Sequence, residues 1–169
     1  NLSDVQLSDE NNFALVMKPT DDGMSVSIKG NRFDARPLIK SMFGPAGAGG
    51  KKAGAFPSIS VEANVGRIYA HRGEVVTGVV GSLTTRGSTV QRAEIQGAFL
   101  SGQPIVMRIA PAEGGRELLI TGRDGGAALR AANLYSKVAG GQIEFSALLS
   151  DDGTSSVRRG RLVLRDFEV

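Results

Sequence analysis

Apolar and polar residues alternate with a period of two through most of this chain, the pattern of strands that bury one face and expose the other. Phe13, Leu15 and Met17 alternate with Ala14, Val16 and Lys18, and Met24, Val26 and Ile28 with Ser25, Ser27 and Lys29. Between these runs PTDDG (19–23) reads as a hairpin loop whose glycine supplies a positive φ. From Ser58 the rhythm resumes, with Ile59, Val61, Ala63 and Val65 on one face and Ser60, Glu62 and Asn64 on the other. Similar runs follow at about 67–72, 74–84, 89–100, 104–110 and 116–122, punctuated by Gly73, Arg86-Gly87, Ser101-Gly102 and Glu113-Gly114-Gly115. The expected arrangement is a meander of antiparallel strands. Ile143, Phe145, Ala147 and Leu149 extend it against Gln142, Glu144 and Ser146, and a last strand is expected from about 156 to 169 after the turn Asp151-Asp152-Gly153.

Two segments break the alternation. In FDARPLIKSMF (33–43), Asp34 can cap a helix, Pro37 suits its first turn, and Leu38/Met42 and Ile39/Phe43 fall at i, i+4 spacing. Gly44 ends it, and GPAGAGGKKAG (44–54) follows as a flexible loop. The second helix is expected over 124–138, with Asp124 as cap, Gly140-Gly141 as stop, and a stripe of Ala127, Ala131, Leu134 and Val138 widened by Ala128, Ala132 and Tyr135. Ile28-Lys-Gly30 before Asp34 echoes Ile120-Thr-Gly122 before Asp124, consistent with two similar strand–helix–strand modules. The expected fold is therefore mainly β with two short helices: a curved antiparallel sheet, open like a groove. Residues 1–54 carry strands, a short helix and the Gly-rich loop; 55–169 carry the meander and second helix, the whole forming one continuous sheet.

Side chains suited to chemistry are sparse. His71, the one histidine, lies in a turn beside Arg72 and Gly73, so a triad or a His-based metal site would rest on it alone. The pairs Asp21-Asp22 and Asp151-Asp152 run into glycine, as turns do, while Asp9-Glu10 does not. A glycosidase cleft is disfavoured by 5% aromatics and no Trp. The loop at 44–52 has Pro45 and Lys52 where a phosphate-binding loop needs Gly and Ser or Thr, and it follows a helix instead of preceding one. Arg123-Asp124-Gly125-Gly126 could hold an anion, but an Asp cap already satisfies those donors. Arg158, Arg159, Arg161 and Arg165 form the densest basic cluster, and Arg159, Arg161 and Arg165 would alternate with Leu162 and Leu164 on a solvated face. Contact with lipid phosphates or nucleic acid is the alternative, and the shortage of interleaved aromatics disfavours single-stranded nucleic acid. Neither a catalytic group, a metal nor a cofactor is expected.

The 23 Gly, about twice the usual share, lack a Gly-X-Y period, which excludes collagen. With no Cys there is no disulfide, a composition compatible with an oxidising compartment. The net charge of +3 is compatible with an anionic membrane nearby, and no run of about 18 apolar residues occurs. Asn1 in place of Met, and a strand running to Val169, read as ends inside a longer, exported chain.

GRDGGAALRAANLYSKVAGGQIEFSAL followed by RGRLVLRDFEV resembles the AsmA-like region of the YhdP family, through Asp124, Gly126, Leu129, Arg130, Tyr135, Gly140, Gly141, Gly160, Leu162, Asp166 and Phe167. GNRFDARPL (30–38) is similar to another element there. The resemblance covers about 115–169 best and 24–43 fairly. It implies a section of a Gram-negative envelope protein, anchored in the inner membrane by parts outside this chain. Its periplasmic sheet would line a hydrophobic groove that passes phospholipids towards the outer membrane. The implied partners are phospholipid acyl chains and envelope proteins. Face alternation then proposes Ile59, Val61, Ala63 and Val65, with Ile143, Phe145, Ala147 and Leu149, as groove-lining positions. Two rival readings stay open: a structural or adhesive β-module whose apolar faces bury each other, and an enzyme whose site is completed elsewhere in the parent chain.

Overall fold

The computed structural model describes residues 5–8, 11–37, 39, 58–87, 89–150 and 157–169. Ten strands make one sheet whose spatial order follows chain order: β1 (Val5–Ser8), β2 (Asn11–Thr20), β3 (Gly23–Asp34), β4 (Ser58–Tyr69), β5 (Val75–Arg86), β6 (Thr89–Phe99), β7 (Pro104–Ala112), β8 (Gly115–Gly122), β9 (Ala139–Leu149) and β10 (Val157–Glu168). β1 and β10 are its two edges, so the sheet does not close into a barrel. The expected mainly β, open sheet is what forms, with one exception in strand direction. β3 and β4 run parallel, while the other neighbouring pairs are antiparallel. Alternation encodes faces, not direction, and the long connection between these two strands permits a crossover.

Register explains why one face is continuously apolar. Val26, Val61, Leu83, Ala93, Ile109, Leu118 and Ala147 are successive cross-strand partners from β3 to β9. A second row, one step along the strands, runs from Ile28 and Ala63 through Ile95, Met107 and Ile120 to Phe145 and Leu162. The alternate residues Glu62, Glu94, Arg108, Glu144 and Arg161 are exposed on the other face. Arg159 and Arg165 share that solvated face, as their spacing predicts.

The alternation resets where β5 bulges. Its register with β6 slips by one residue between Thr77 and Val80, around Gly78 in a left-handed conformation (φ 59°). Val76 and Val79, three residues apart, consequently both reach the apolar side.

One helix is described between β8 and β9: α1 (Gly125–Ala131), shorter than the expected 124–138. Asp124 caps it, accepting from the Ala127 N–H at 2.9 Å. Asn133 ends it in a left-handed conformation (φ 57°). The Leu134 N–H reaches the Leu129 carbonyl and the Asn133 N–H the Arg130 carbonyl, both at 2.9 Å, which closes the last turn as a Schellman motif. Gly140 and Gly141, expected as the stop, instead lie at the start of β9. Of the predicted stripe, Ala127 and Val138 are buried but Leu134 is mostly exposed. The earlier expected helix shows helical backbone at Arg36, Pro37 and Ile39, with the Ile39 N–H on the Ala35 carbonyl at 2.9 Å. The remainder of 33–43 after Ile39, the loop 44–54 and the turn at Asp151-Asp152-Gly153 lie outside the described residues. Asp34 does act like a cap, accepting from the Arg36 N–H at 3.0 Å. The echo with Asp124 is therefore local: one unit crosses over to a parallel strand, the other returns antiparallel.

Two buried clusters occupy the apolar face. Phe99 packs with Ala127, Ala128, Leu129, Val138 and Ile143 beneath α1. Ala93, Ile109, Leu118, Ala147 and Leu149 form the other, nearer the opposite end of the strands. The approach of α1 to β9 depends on Gly126, where a Cβ would fall 2.4 Å from the Val138 carbonyl oxygen and 3.0 Å from Ala139 Cα. In an open helix Gly→Ala gains up to about 1 kcal/mol. Here both obstacles are backbone, and overpacking of this kind costs about 1–3 kcal/mol. Gly126→Ala is expected to destabilise by about 1–2 kcal/mol, read as a lower midpoint in urea unfolding. A raised midpoint would show that α1 can shift away from β9 freely.

Candidate functional site

The second of the two aliphatic rows from Ile95 to Leu162, the next residues along the strands such as Ile105 and Ile143, and the underside of α1 enclose an apolar trough of about 300 Å³, at the lower end of the range for ligand pockets. Its lining comes from seven successive strands, β4 (Ile68) to β10 (Leu162), and from Ile39, Ala131 and Leu134. In a flat sheet, with strands about 4.8 Å apart, seven strands would spread over about 29 Å. Their convergence on one cavity requires the sheet to curve. Small residues sit where the inner face is crowded: a Cβ at Gly81 would meet the Glu94 carbonyl at 2.7 Å and Ile95 Cγ1 at 2.8 Å. Gln96 is the one polar residue in the lining among the described residues, and strand alternation puts it on the outer face with Glu94. The trough offers hydrocarbon a place to bury and offers almost nothing to a polar group.

The eight candidate lining positions divide three ways. Ile143 and Phe145 line the trough. Ala147 and Leu149 share their strand face but belong to the second buried cluster. Ile59, Val61, Ala63 and Val65 sit on the same apolar side of β4, with Val65 buried and the others half-buried, outside the trough lining. Four strands, β5 to β8, separate the two sets. The trough is built largely from residues of these intervening strands, including Val76, Val79, Ile95, Ile105, Met107 and Ile120. For Ile105 and Met107 the signal was the same alternation; for Val76 and Val79 the bulge hides it.

The residues that carry the family resemblance mostly hold α1 and the β9–β10 pair in place. Leu129 is 4% exposed under the helix. Arg130 bonds Glu74 at 2.6 Å and the Val138 carbonyl at 2.9 Å, so it ties α1 both to the β4–β5 turn and to the start of β9. Asp166, itself left-handed (φ 54°), accepts from Gln142 Nε2 at 3.2 Å. Phe167 pairs with Gly140 and lies against Gly141, where a Cβ would come within 2.8 Å of the Phe167 Cβ. Gly160 and Leu162 continue the two apolar rows onto β10, opposite Ala147 and Phe145. Tyr135 is 47% exposed beyond the helix end.

Among the described residues, charge is kept to the ends and the outer face, with one exception. Arg116 lies on the apolar side in step with Leu118 and Ile120, is 2% exposed, and donates to the carbonyls of Val90 and Ser150. Its parity with two aliphatics was a readable signal that sequence reasoning passed over. The Arg36 guanidinium, 2.8 Å from Asp34, holds that carboxyl below the usual carboxylate range, and the charge of His71 adds a smaller effect in the same direction. His71 itself is part of the turn His71–Gly73 between β4 and β5. No group of three or more His, Asp or Glu among the described residues could hold a metal ion. Nor is any helix among them long and apolar enough to cross a membrane.

Compared with protein-family models, with curated proteins and with solved structures, the chain matches none.

Proposed function

We propose that the trough holds acyl chains, and that the chain is a section of a periplasmic groove of the AsmA/YhdP kind that passes phospholipids from the inner towards the outer membrane. The observation that carries this reading is the pair of aliphatic rows that run in register across β3 to β9, the second of which opens into a trough with a single polar residue among the described residues of its lining. Each CH₂ withdrawn from a bilayer forfeits about 0.8 kcal/mol unless another apolar surface receives it. A lined trough supplies that surface, and movement along it needs no covalent chemistry. The resemblance of 115–169 to the AsmA-like region adds the envelope setting, with an inner-membrane anchor and envelope partners supplied by the parent protein.

A purely structural β-module is favoured by a different observation: the second cluster is already closed, with Ala93, Leu118 and Ala147 each no more than 5% exposed. The two readings part on what lies against Phe145. A photo-crosslinking residue at Phe145 or Met107 is expected to yield phospholipid adducts by mass spectrometry after incubation with vesicles. The same probe at Glu144 or Arg108, on the opposite face, should yield far fewer. Equal yields on both faces, or none from folded protein, would leave the structural module as the better account.

A further inference from the structure

We propose that the end of the sheet bearing α1 docks on an anionic lipid bilayer. Strand directions place at this end the turns after β4 and β6, the whole of α1 with 132–138, and the end of β10. Two hydrogen bonds bind these pieces together: Ser101 to Asp124 at 3.1 Å, and Arg72 to Asn133 at 3.0 Å. The platform they form is unusually greasy at its surface. Leu100 is 69% exposed, Leu134 57% and Tyr135 47%. Scattered apolar residues need no explanation, but these sit on loops that gather at one end. A tyrosine with its ring exposed among leucines suits the boundary between headgroups and acyl chains.

Charge selects the occupant. Asp34 is engaged by Arg36, Glu74 by Arg130, and Asp124 by the helix it caps. Arg123 and Lys137 are exposed and form no ion pair among the described residues, nor do the exposed Arg67 and Arg165, while Asp166 and Glu168 are the exposed carboxylates against them. At the other end of the strands the exposed turns hold Asp21, Asp22 and Glu113, balanced by Lys18, Arg86 and, at the start of β10, Arg159. Apolar side chains ringed by free cations match anionic lipid, and the far end has no such excess of cations. Leu134 also lines the trough, so the docking end and the apolar cavity are continuous. The docking itself stands whether or not the trough carries lipid.

The test is flotation of the whole chain with vesicles of phosphatidylcholine alone or mixed with phosphatidylglycerol. Binding is expected to the mixed vesicles, to weaken as salt is raised, and to be slight on the neutral ones. Leu100→Ser with Tyr135→Ser should weaken it about tenfold or more, and Arg123→Glu with Lys137→Glu by a similar factor. Asp21→Ser with Glu113→Ser, at the far end, should leave it unweakened. None of these six positions lines the trough, and all are exposed, so unchanged unfolding midpoints and an unchanged Phe145 adduct yield separate loss of docking from loss of fold or of trough binding. Failure of the wild-type chain to float with anionic vesicles, or equal binding by both end variants and wild type, overturns the proposal.

Discussion

Phe99→Ala is expected to destabilise the fold by about 3–5 kcal/mol, a large part of the 5–15 kcal/mol typical of a whole domain. Phe99 ends β6, is 2% exposed, and packs beneath Ala127, Ala128, Leu129 and Val138. Truncation removes the ring and leaves a void, because the walls on both sides are held by other bonds. The Phe99 backbone pairs with Gln103 at 2.9 Å and Gly102 at 2.8 Å, so the turn keeps its shape. Ser101 and Arg130 keep α1 anchored at points that cannot follow the missing ring. A helix of seven residues has no stability of its own, so its amides should also lose protection from hydrogen exchange before the sheet does. The neighbouring Leu100→Ala, at 69% exposure, should change stability by no more than about 0.5 kcal/mol. Urea unfolding of both variants checks the pair. A loss below about 1 kcal/mol for Phe99→Ala would mean that α1 collapses onto the sheet and that the cluster is not the keystone of that end.

How much of this was legible in the sequence depends on which physical rule governs each part. The faces of β3, β4 and β9 were legible, because a strand buried on one side must alternate. Val61 and Phe145 lie on the apolar side for that reason alone. The parallel direction of β3 and β4 was not, since alternation is blind to direction and the deciding segment is a crossover. The shared face of Val76 and Val79 was not legible: Gly78 shifts the parity, and a period of two read through a bulge would put one of them on the wrong side. The helix end was missed for a local reason. Asn133 takes the left-handed cap that glycine usually fills, and the Gly140-Gly141 pair drew the boundary too far along. Of the candidate lining positions on β9, Ile143 and Phe145 fall in the trough and Ala147 and Leu149 outside it, because nothing in the four residues distinguishes which end α1 covers. That distinction is tertiary.

Arg116 carries the second large effect. It is a cation with 2% exposure on the apolar face, and its guanidinium reaches the carbonyls of Val90, in β6, and of Ser150, just past β9 and itself 1% exposed. The planar fork lets one side chain from β8 tie both neighbouring segments at once, which a lysine ammonium cannot reproduce in the same geometry. Arg116→Met keeps much of the volume and removes the donors. The buried Ser150 carbonyl and the partly buried Val90 carbonyl then each lose a charge-assisted bond, at about 1–3 kcal/mol apiece, so a loss of about 3–5 kcal/mol is expected, in the range seen when a buried charge network is broken. Arg116→Lys should recover less than half of it. The contrary outcome has a physical basis too, because burying a guanidinium is itself costly and hydrocarbon sometimes replaces buried ions without loss. If the Met variant unfolds at the same urea concentration as wild type, or a higher one, Arg116 contributes nothing net to the fold. Its place in line with Leu118 and Ile120 would then call for an explanation in what that end of the apolar face binds.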